Sequence, residues 1–343
     1  MNKTVIARRA PARRSNLHQQ VSLLAGDCFA ALATTVTARI AVAAVLVAGA
    51  LSPSVALAAP DVVVSIKPIH SLVAGVMAGV GEPQLIVTGG SSPHVYSLRP
   101  SDARKLEEAQ LVFWVGPILE GFLEKPLAAL ASKAEIVELD HASGVALLPA
   151  RQGGDWEADE DEHAHAHAAS AAEQDGHLWL NPENAKAIVR LAEAKLAALD
   201  PANAARYAGN AAALAQRLDA LDGGLRQRLA PVRGRPFVVF HDAYQYLERR
   251  YGLRAIGSIT VSPEHLPGAQ RIKAIHAKVA ALGVACVFSE PQFAPRLVQT
   301  VIEGTHARTA VLDPEGASLH AGPELYVVLM NRLADALTAC LGR

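Results

Sequence analysis

The sequence predicts an α/β protein of two Rossmann-like lobes with parallel sheets, joined by a long rigid spanning helix. Three observations carry that expectation. Short β-rich runs alternate with helical stretches, which is the pattern of parallel sheet with helices on its faces. The alternation occurs twice, once before residue 182 and once after residue 230. Between the two sets lies a stretch dominated by Ala, Leu, Arg, Asn, Glu and Asp.

In the first set the β-rich runs are Asp61–Lys67, Gln84–Val87, Leu111–Val115 and Glu135–Leu139, with helical stretches at about Ile69–Gly79, Ser101–Glu108 and Leu119–Ala131. In the joining stretch Asn181 can cap a first helix, with Pro182 in its first turn. Asp200-Pro201 then restarts a second helix that runs to about Leu229. At 1.5 Å per residue this second helix is roughly 40 Å long, enough to span both lobes and hold them nearly fixed. A coiled-coil surface for a partner is the alternative, but the Ala-rich pattern lacks a sustained apolar heptad. The second set has β-rich runs at Pro236–Phe240, Arg254–Ile259, Val284–Ser289 and Thr309–Leu312. Its helices fall at about Tyr244–Tyr251, Pro267–Leu282, Pro295–Glu303 and Pro323–Ala339. The chain thus divides into a leader (1–58), an N-terminal lobe (59–181), linking helices (182–230) and a C-terminal lobe (231–343).

The leader sets the compartment. Lys3, Arg8, Arg9, Arg13 and Arg14 precede an apolar run from Ile40 to Ala50, and Ala56-Leu57-Ala58 comes next. Positive region, apolar region and small-x-small site in that order read as a secretory signal cleaved near Ala58. The apolar run is shorter than the roughly 18–20 residues a membrane span needs, and Asp27 before Cys28 argues against a lipid anchor. Without the leader the chain carries a formal charge of about −6, too acidic for a nucleic-acid binder. The mature part keeps two cysteines, Cys286 and Cys340. An even number in an exported chain points to one disulfide, closing a loop of roughly 55 residues. Two buried free thiols are the alternative.

The segment from Arg151 to Gly176 is acidic and holds His163, His165 and His167 at alternate positions. Its composition cannot support a core, so it is expected to be a disordered surface loop and a weak collector of transition metal. Three other histidines stand in polar contexts near strand or helix ends: His94 in Ser-Ser-Pro-His-Val-Tyr, His177 in Gly-His-Leu-Trp-Leu-Asn-Pro, and His241 in Phe-His-Asp. Asp313 ends the last β-rich run. Ligands of open parallel sheets bind at the carboxyl ends of strands, and three imidazoles with one carboxylate suit tetrahedral Zn²⁺. Taken singly, a histidine near a strand end is more often structural, and Asp313 before Pro314 is also ordinary turn chemistry. His70 reads as a capping or packing residue, Glu290 as a surface carboxylate that could instead orient a ligand imidazole. His141, His265, His276, His306 and His320 lack ligand-like partners.

Several segments together carry a family resemblance: Ser65-Ile-Lys-Pro-Ile-His-Ser-Leu-Val, His94-Val-Tyr-Ser-Leu-Arg-Pro-Ser-Asp, Trp114-Val-Gly-Pro, His177-Leu-Trp-Leu-Asn-Pro, Phe240-His-Asp-Ala-Tyr, Ser289-Glu-Pro-Gln-Phe and Leu312-Asp-Pro-Glu-Gly. On these the chain resembles the substrate-binding proteins of zinc-uptake ABC importers, the ZnuA-like members of the metal-binding cluster, from about Asp61 to the C-terminus. The resemblance implies two α/β lobes, a rigid spanning helix and one metal at the interlobe cleft. It maps three ligand histidines onto His94, His177 and His241 and an acidic fourth position onto Asp313. A Cys286–Cys340 disulfide and a His-rich insertion are also features of zinc-type members. Manganese-type relatives place Glu at the position of His241, which favours zinc here. Some zinc-type relatives place Glu just before the first histidine, where this chain has Pro93, leaving Asp313 or a water as fourth ligand.

The function implied is a periplasmic, monomeric, non-enzymatic zinc-binding component. It would hand Zn²⁺ to an ABC permease and its ATPase, with a periplasmic zinc chaperone as a further candidate partner. Binding through neutral imidazoles should weaken as pH falls through about 6.5. A periplasmic zinc hydrolase would share a three-histidine site, but no His-Glu-x-x-His helix is present. A zinc-buffering or adhesive surface protein would differ only in its partners.

Overall fold

Two four-stranded sheets organise the chain, and every pairing within them is parallel. The computed structural model describes residues 59–151, 174–260 and 267–342. The leader, the histidines at 163, 165 and 167, and His265 lie outside the described residues. Contacts divide the chain into residues 1–58 and residues 59–343, and both sheets belong to the second unit.

The first sheet contains β1 (Val62–Val64), β2 (Gln84–Leu85), β3 (Leu111–Trp114) and β4 (Glu135–Glu138), in the order β2-β1-β3-β4. The second contains β5 (Pro236–Val239), β6 (Arg254–Ser258), β7 (Cys286–Ser289) and β8 (Arg308–Val311), in the equivalent order β6-β5-β7-β8. In each, the chain winds one way from the first strand and then the other. That leaves a topological switch point beside β1/β3 and β5/β7, where loops diverge and a ligand can enter. The apolar runs that predict these strands are buried as expected: β1, β3 and most of β5 and β7 are inaccessible to solvent.

The helices are α1 (Lys67–Val76), α2 (Pro100–Glu108), α3 (Pro117–Leu130), α4 (Pro182–Leu199), α5 (Ala204–Leu229), α6 (Gln245–Tyr251), α7 (Ala269–Ala281), α8 (Arg296–Ile302) and α9 (Leu325–Leu341). α1 starts at Lys67, where the sequence pattern continues the strand. Pro68 in its first turn sets the helical φ and needs no hydrogen-bonded N–H there. α4 starts as expected, with Asn181 Oδ1 accepting from Glu183 N at 3.1 Å. The break between α4 and α5 is a short 3-10 turn, Pro201–Asn203, organised by Asp200. Its carboxylate accepts from Asn203 Nδ2 and Tyr207 Oη, both at 2.8 Å.

α5 carries Tyr207, Ala211, Leu214, Leu218, Leu221, Leu225 and Leu229 as one buried stripe at helical spacing. From Tyr207 to Leu225 the spacing alternates four and three, so the apolar heptad that the Ala-rich pattern is expected to lack is present, and it packs on α1, α4 and α9 of the same chain. Both lobes grip this helix. Asn210 Nδ2 donates to Val76 O and Ala78 O at the end of α1, each at 2.9 Å. At the other end Arg228 donates to the carbonyl and side chain of Asn331 in α9. One apolar core accordingly runs from β1 and β3 through α4 and α5 to α9, with a smaller cluster around Val238, Ile256, Ile275 and Val301 on the second sheet. An interface this apolar resists relative motion of the sheets. Cys286 of β7 and Cys340 of α9 form a disulfide, with Cα atoms 6.1 Å apart.

Candidate metal centre

His94, His177 and His241 come together. Their ligand nitrogens all lie within 4.8 Å of one another. His94 Nε2 is 3.3 Å from His177 Nε2, which is 3.2 Å from His241 Nε2. Three separate pieces of local structure deliver them. His94 sits in a 3-10 turn, Pro93–Val95, capped by Ser92 Oγ, which accepts from His94 N. His241 follows β5 at the switch point of the second sheet. His177 follows Asp175-Gly176, and Asp175 Oδ1 accepts from both His177 N (2.9 Å) and the His177 ring (2.8 Å). Gly176 is needed because a Cβ there would lie 3.0 Å from Leu119 Cβ.

The second ring nitrogen of each buried ligand is fixed by a carboxylate. His177 Nδ1 faces Asp175, and His241 Nδ1 faces Glu290 Oε1 at 2.7 Å. Glu290 directly follows β7, the neighbour of β5, and also accepts from Tyr244 Oη at 3.3 Å. An ionised carboxylate can only accept, so with Asp175 and Glu290 ionised each Nδ1 carries the proton and each Nε2 turns a lone pair inward. Two such lone pairs 3.2 Å apart repel unless a cation or proton lies between them. A tetrahedral ion with bonds of about 2.0–2.1 Å sets its ligand nitrogens about 3.3 Å apart, which is the spacing observed here.

Electrostatics separates the three rings. Burial holds His94 and His177 well below the ordinary histidine value, and the neighbouring imidazoles add to the effect. Burial acts the same way on His241, but the Glu290 carboxylate, helped by Asp242 and Asp175, outweighs it and raises that ring. Burial pushes the Asp175 carboxyl up to about 7, against the pull of His177 N, Arg151 and His241. As pH falls, the proton that competes with a metal therefore arrives on His241 first, above 6.5 and not at it. Zinc affinity should begin to fall above pH ~6.5 and then drop about tenfold per pH unit, one proton being displaced per ion. Calorimetric titrations between about pH 5.5 and 8 would read this directly.

Ser92, Pro93, Glu290, Gln292, Phe293, Pro314 and Glu315 complete the walls of this narrow cavity. Glu290 Oε2 and Gln292 Oε1 are buried without a protein donor, so the walls offer further acceptors to a cation and its water.

Asp313 departs from the expectation. It is not in the converging group, and its Oδ1 accepts from Glu315 N (3.2 Å) and Gly316 N (2.9 Å). The turn chemistry of Asp before Pro and Gly engages one of its two oxygens. The carboxylate that lines the cavity is Glu315, two residues on. Asp175, which faces the His177 ring, is not singled out by the sequence pattern, although Asp two residues before a histidine is the spacing of an Asx turn and could have revealed it. Glu290 reads by default as a surface carboxylate; in the structure it takes the orienting role instead. His70 is bound to Pro83 O at 2.8 Å and takes no part. A second grouping, Glu138, Asp140 and the exposed His141, is held together by the imidazole's own bonds to the two carboxylates, 3.2 and 2.9 Å long. If the carboxylates orient the imidazoles, Glu290→Gln and Asp175→Asn should each weaken zinc binding about 10–100-fold while leaving the fold intact. Competition against a chromophoric chelator would measure the loss.

Comparison with known proteins agrees with this geometry. The family described as zinc-uptake complex component A, periplasmic, matches residues 62–340. The high-affinity zinc uptake system protein ZnuA of Brucella suis is 48% identical over 325 residues, covering 88% of this chain and 97% of that protein. The corresponding protein of Yersinia pestis is 36% identical over 294 residues, covering 83% and 92%. Among solved structures, a zinc-bound deletion mutant of ZnuA superposes with a TM-score of 0.68 at 25% identity, covering 82% of this chain and 98% of that one.

Proposed function

The chain belongs to the family of periplasmic components of zinc-uptake complexes, and on that premise we propose that it captures Zn²⁺ between its two lobes for an ABC importer. The ion is the protein's cargo. His94, His177 and His241 hold it, and Asp175 and Glu290 orient the two buried rings. The fourth position falls to Asp313, whose turn engages only its Oδ1, or to a water. The ion then passes to a membrane permease driven by its ATPase. The protein acts in the periplasm as a monomer after cleavage near Ala58, with residues 59–181 and 231–343 as lobes and residues 182–230 linking them. The acidic segment with His163, His165 and His167 serves as an auxiliary collector, and a periplasmic zinc chaperone is a further partner. The site holds and releases its ion and performs no turnover.

One observation carries this reading. Three imidazole nitrogens converge, the middle one at the separation a tetrahedral ion imposes from each of the others, and two of the rings have a carboxylate on the outward nitrogen. Neutral imidazole also ranks zinc above manganese, which favours oxygen ligands.

The test is calorimetric titration of zinc and manganese into metal-free protein starting at Ala59, with and without residues 155–174. One tight zinc site that survives the deletion and outcompetes manganese is the expected result. Loss of tight binding together with the deleted segment would move the site out of the cleft and leave a metal buffer.

A further inference from the structure

Lys67 is in the wrong place by local rules. It opens α1, where a positive charge opposes the helix dipole, and no acidic residue stands in that first turn. It is also only 6% exposed. Burial lowers its pKa, with Asp313 and Glu315 pulling the other way. Among the described residues no carboxylate lies within ion-pair distance of it. Its Nζ donates instead to three carbonyls of the opposite lobe: Gly316 O at 3.1 Å, Ala317 O at 2.9 Å and Leu319 O at 3.1 Å. All three ammonium protons are thereby used.

Those carbonyls belong to the turn that follows β8, and this turn is built to keep one shape. Asp313 Oδ1 binds the backbone at Glu315 and Gly316. Gly316 has φ +69°, and a Cβ there would crowd Leu319 at 3.2 Å. Trp179, two residues after His177, donates its indole N–H to Pro314 O at 2.9 Å. Pro314 and Glu315 form one wall of the histidine cavity. The wall is therefore contributed by one lobe and held in place by two side chains from outside it, Lys67 and Trp179.

We propose that Lys67 is a positioning residue for the metal pocket: its ammonium pins the turn at residues 316–319 across the lobe boundary, which keeps the Pro314–Glu315 wall closed on the three histidines. The inference rests on the reading of those histidines as the zinc site. Retention of the ion then depends on the register of the two lobes. A shift of the start of α1 against this turn breaks three hydrogen bonds at once and withdraws the wall from His94 and His177. That gives a docking partner a means of release that needs no wide hinge motion.

Three substitutions test it in the full mature chain. Lys67→Met keeps the stem and removes the donors, and Lys67→Arg restores charge and donors. Ser71→Ala is the control for ordinary interlobe packing, because Ser71 Oγ donates to Pro323 O (3.0 Å) and accepts from Tyr326 N (2.9 Å) one turn along the same helix. The readouts are the zinc release rate into excess chelator, amide exchange at Gly316–Leu319, and thermal unfolding. Lys67→Met should release zinc about tenfold faster or more, with faster exchange in the turn, and Lys67→Arg should recover most of the loss. Ser71→Ala should lower the unfolding temperature without changing release. Should Lys67→Met not fold, Lys67→Gln, neutral with two donors, carries the same test. Unchanged or slower release in a folded Lys67 variant overturns the proposal, as does faster release that merely follows the unfolding temperature in both the Lys67 and Ser71 variants. Parent-like zinc affinity in a folded His177→Ala variant would instead remove the reading beneath it, whatever the Lys67 variants do.

Discussion

Zinc should bind His177→Ala at least about a hundredfold more weakly than the parent chain. His177 is the middle member of the cluster, with its Nε2 within 3.3 Å of the other two. A structural zinc site is worth about 10–16 kcal/mol over about four ligands, so one ligand represents about 3 kcal/mol, or a factor between about 10² and 10³. Asp175 keeps its bond from the backbone N at 177 but loses the ring, a cost that falls on the stability of the fold and not on the ion. Water entering the space left by the ring offsets part of that cost. Chelator competition measures the affinity, and near-ultraviolet circular dichroism of the metal-free variant checks that the fold is retained. Parent-like affinity in a folded variant would exclude the cleft as the site.

Removing the disulfide should produce the largest change in stability. Cys286 and Cys340 are both buried and close a loop with a sequence separation of 54 residues. Chain entropy gives about 4 kcal/mol for a loop of that size. In a chain of this length that corresponds to a fall of roughly 10 °C in the unfolding temperature. The Cys286→Ser/Cys340→Ser double variant, scanned beside the parent with and without reductant, tests it. Reductant should lower the parent to the variant's temperature and leave the variant unmoved. Zinc affinity should change far less. β7 stays paired on both sides, to β5 and β8, so Glu290 at its end keeps its place beside His241. A variant as stable as the parent would mean that the unfolded chain gains little freedom when the bond is lost.

All eight strands are legible as short β-rich runs set off by Gly, Pro or polar residues. The central β1, β3, β5 and β7 are buried nearly throughout, as strands covered on both faces are, while β2, β4 and β8 at the sheet edges stay partly exposed. Their ends are less clear. The run that reads as strand through Lys67 stops at Val64, because hydropathy does not distinguish the last residues of a buried strand from the first of a buried helix. The stripe of α5 is obscured by alanines, and only its packing partners show that it faces its own chain.

The sequence by itself determined two α/β lobes, the linking helices and the three histidines. Periodicity, helix-start residues and the polar settings of His94, His177 and His241 are all local signals, readable within a few positions. Tertiary structure decided the rest of the site. It placed Asp175 and Glu290 on the outward nitrogens of His177 and His241, drew Asp313 into its own turn, and brought Glu315 to the cavity. It also turned Lys67, an unremarkable lysine in the sequence, into a clamp on a turn 250 positions away. Which oxygen faces a given ring nitrogen depends on how two sheets, far apart in the chain, are registered by one shared core. A one-dimensional pattern carries no record of that registration.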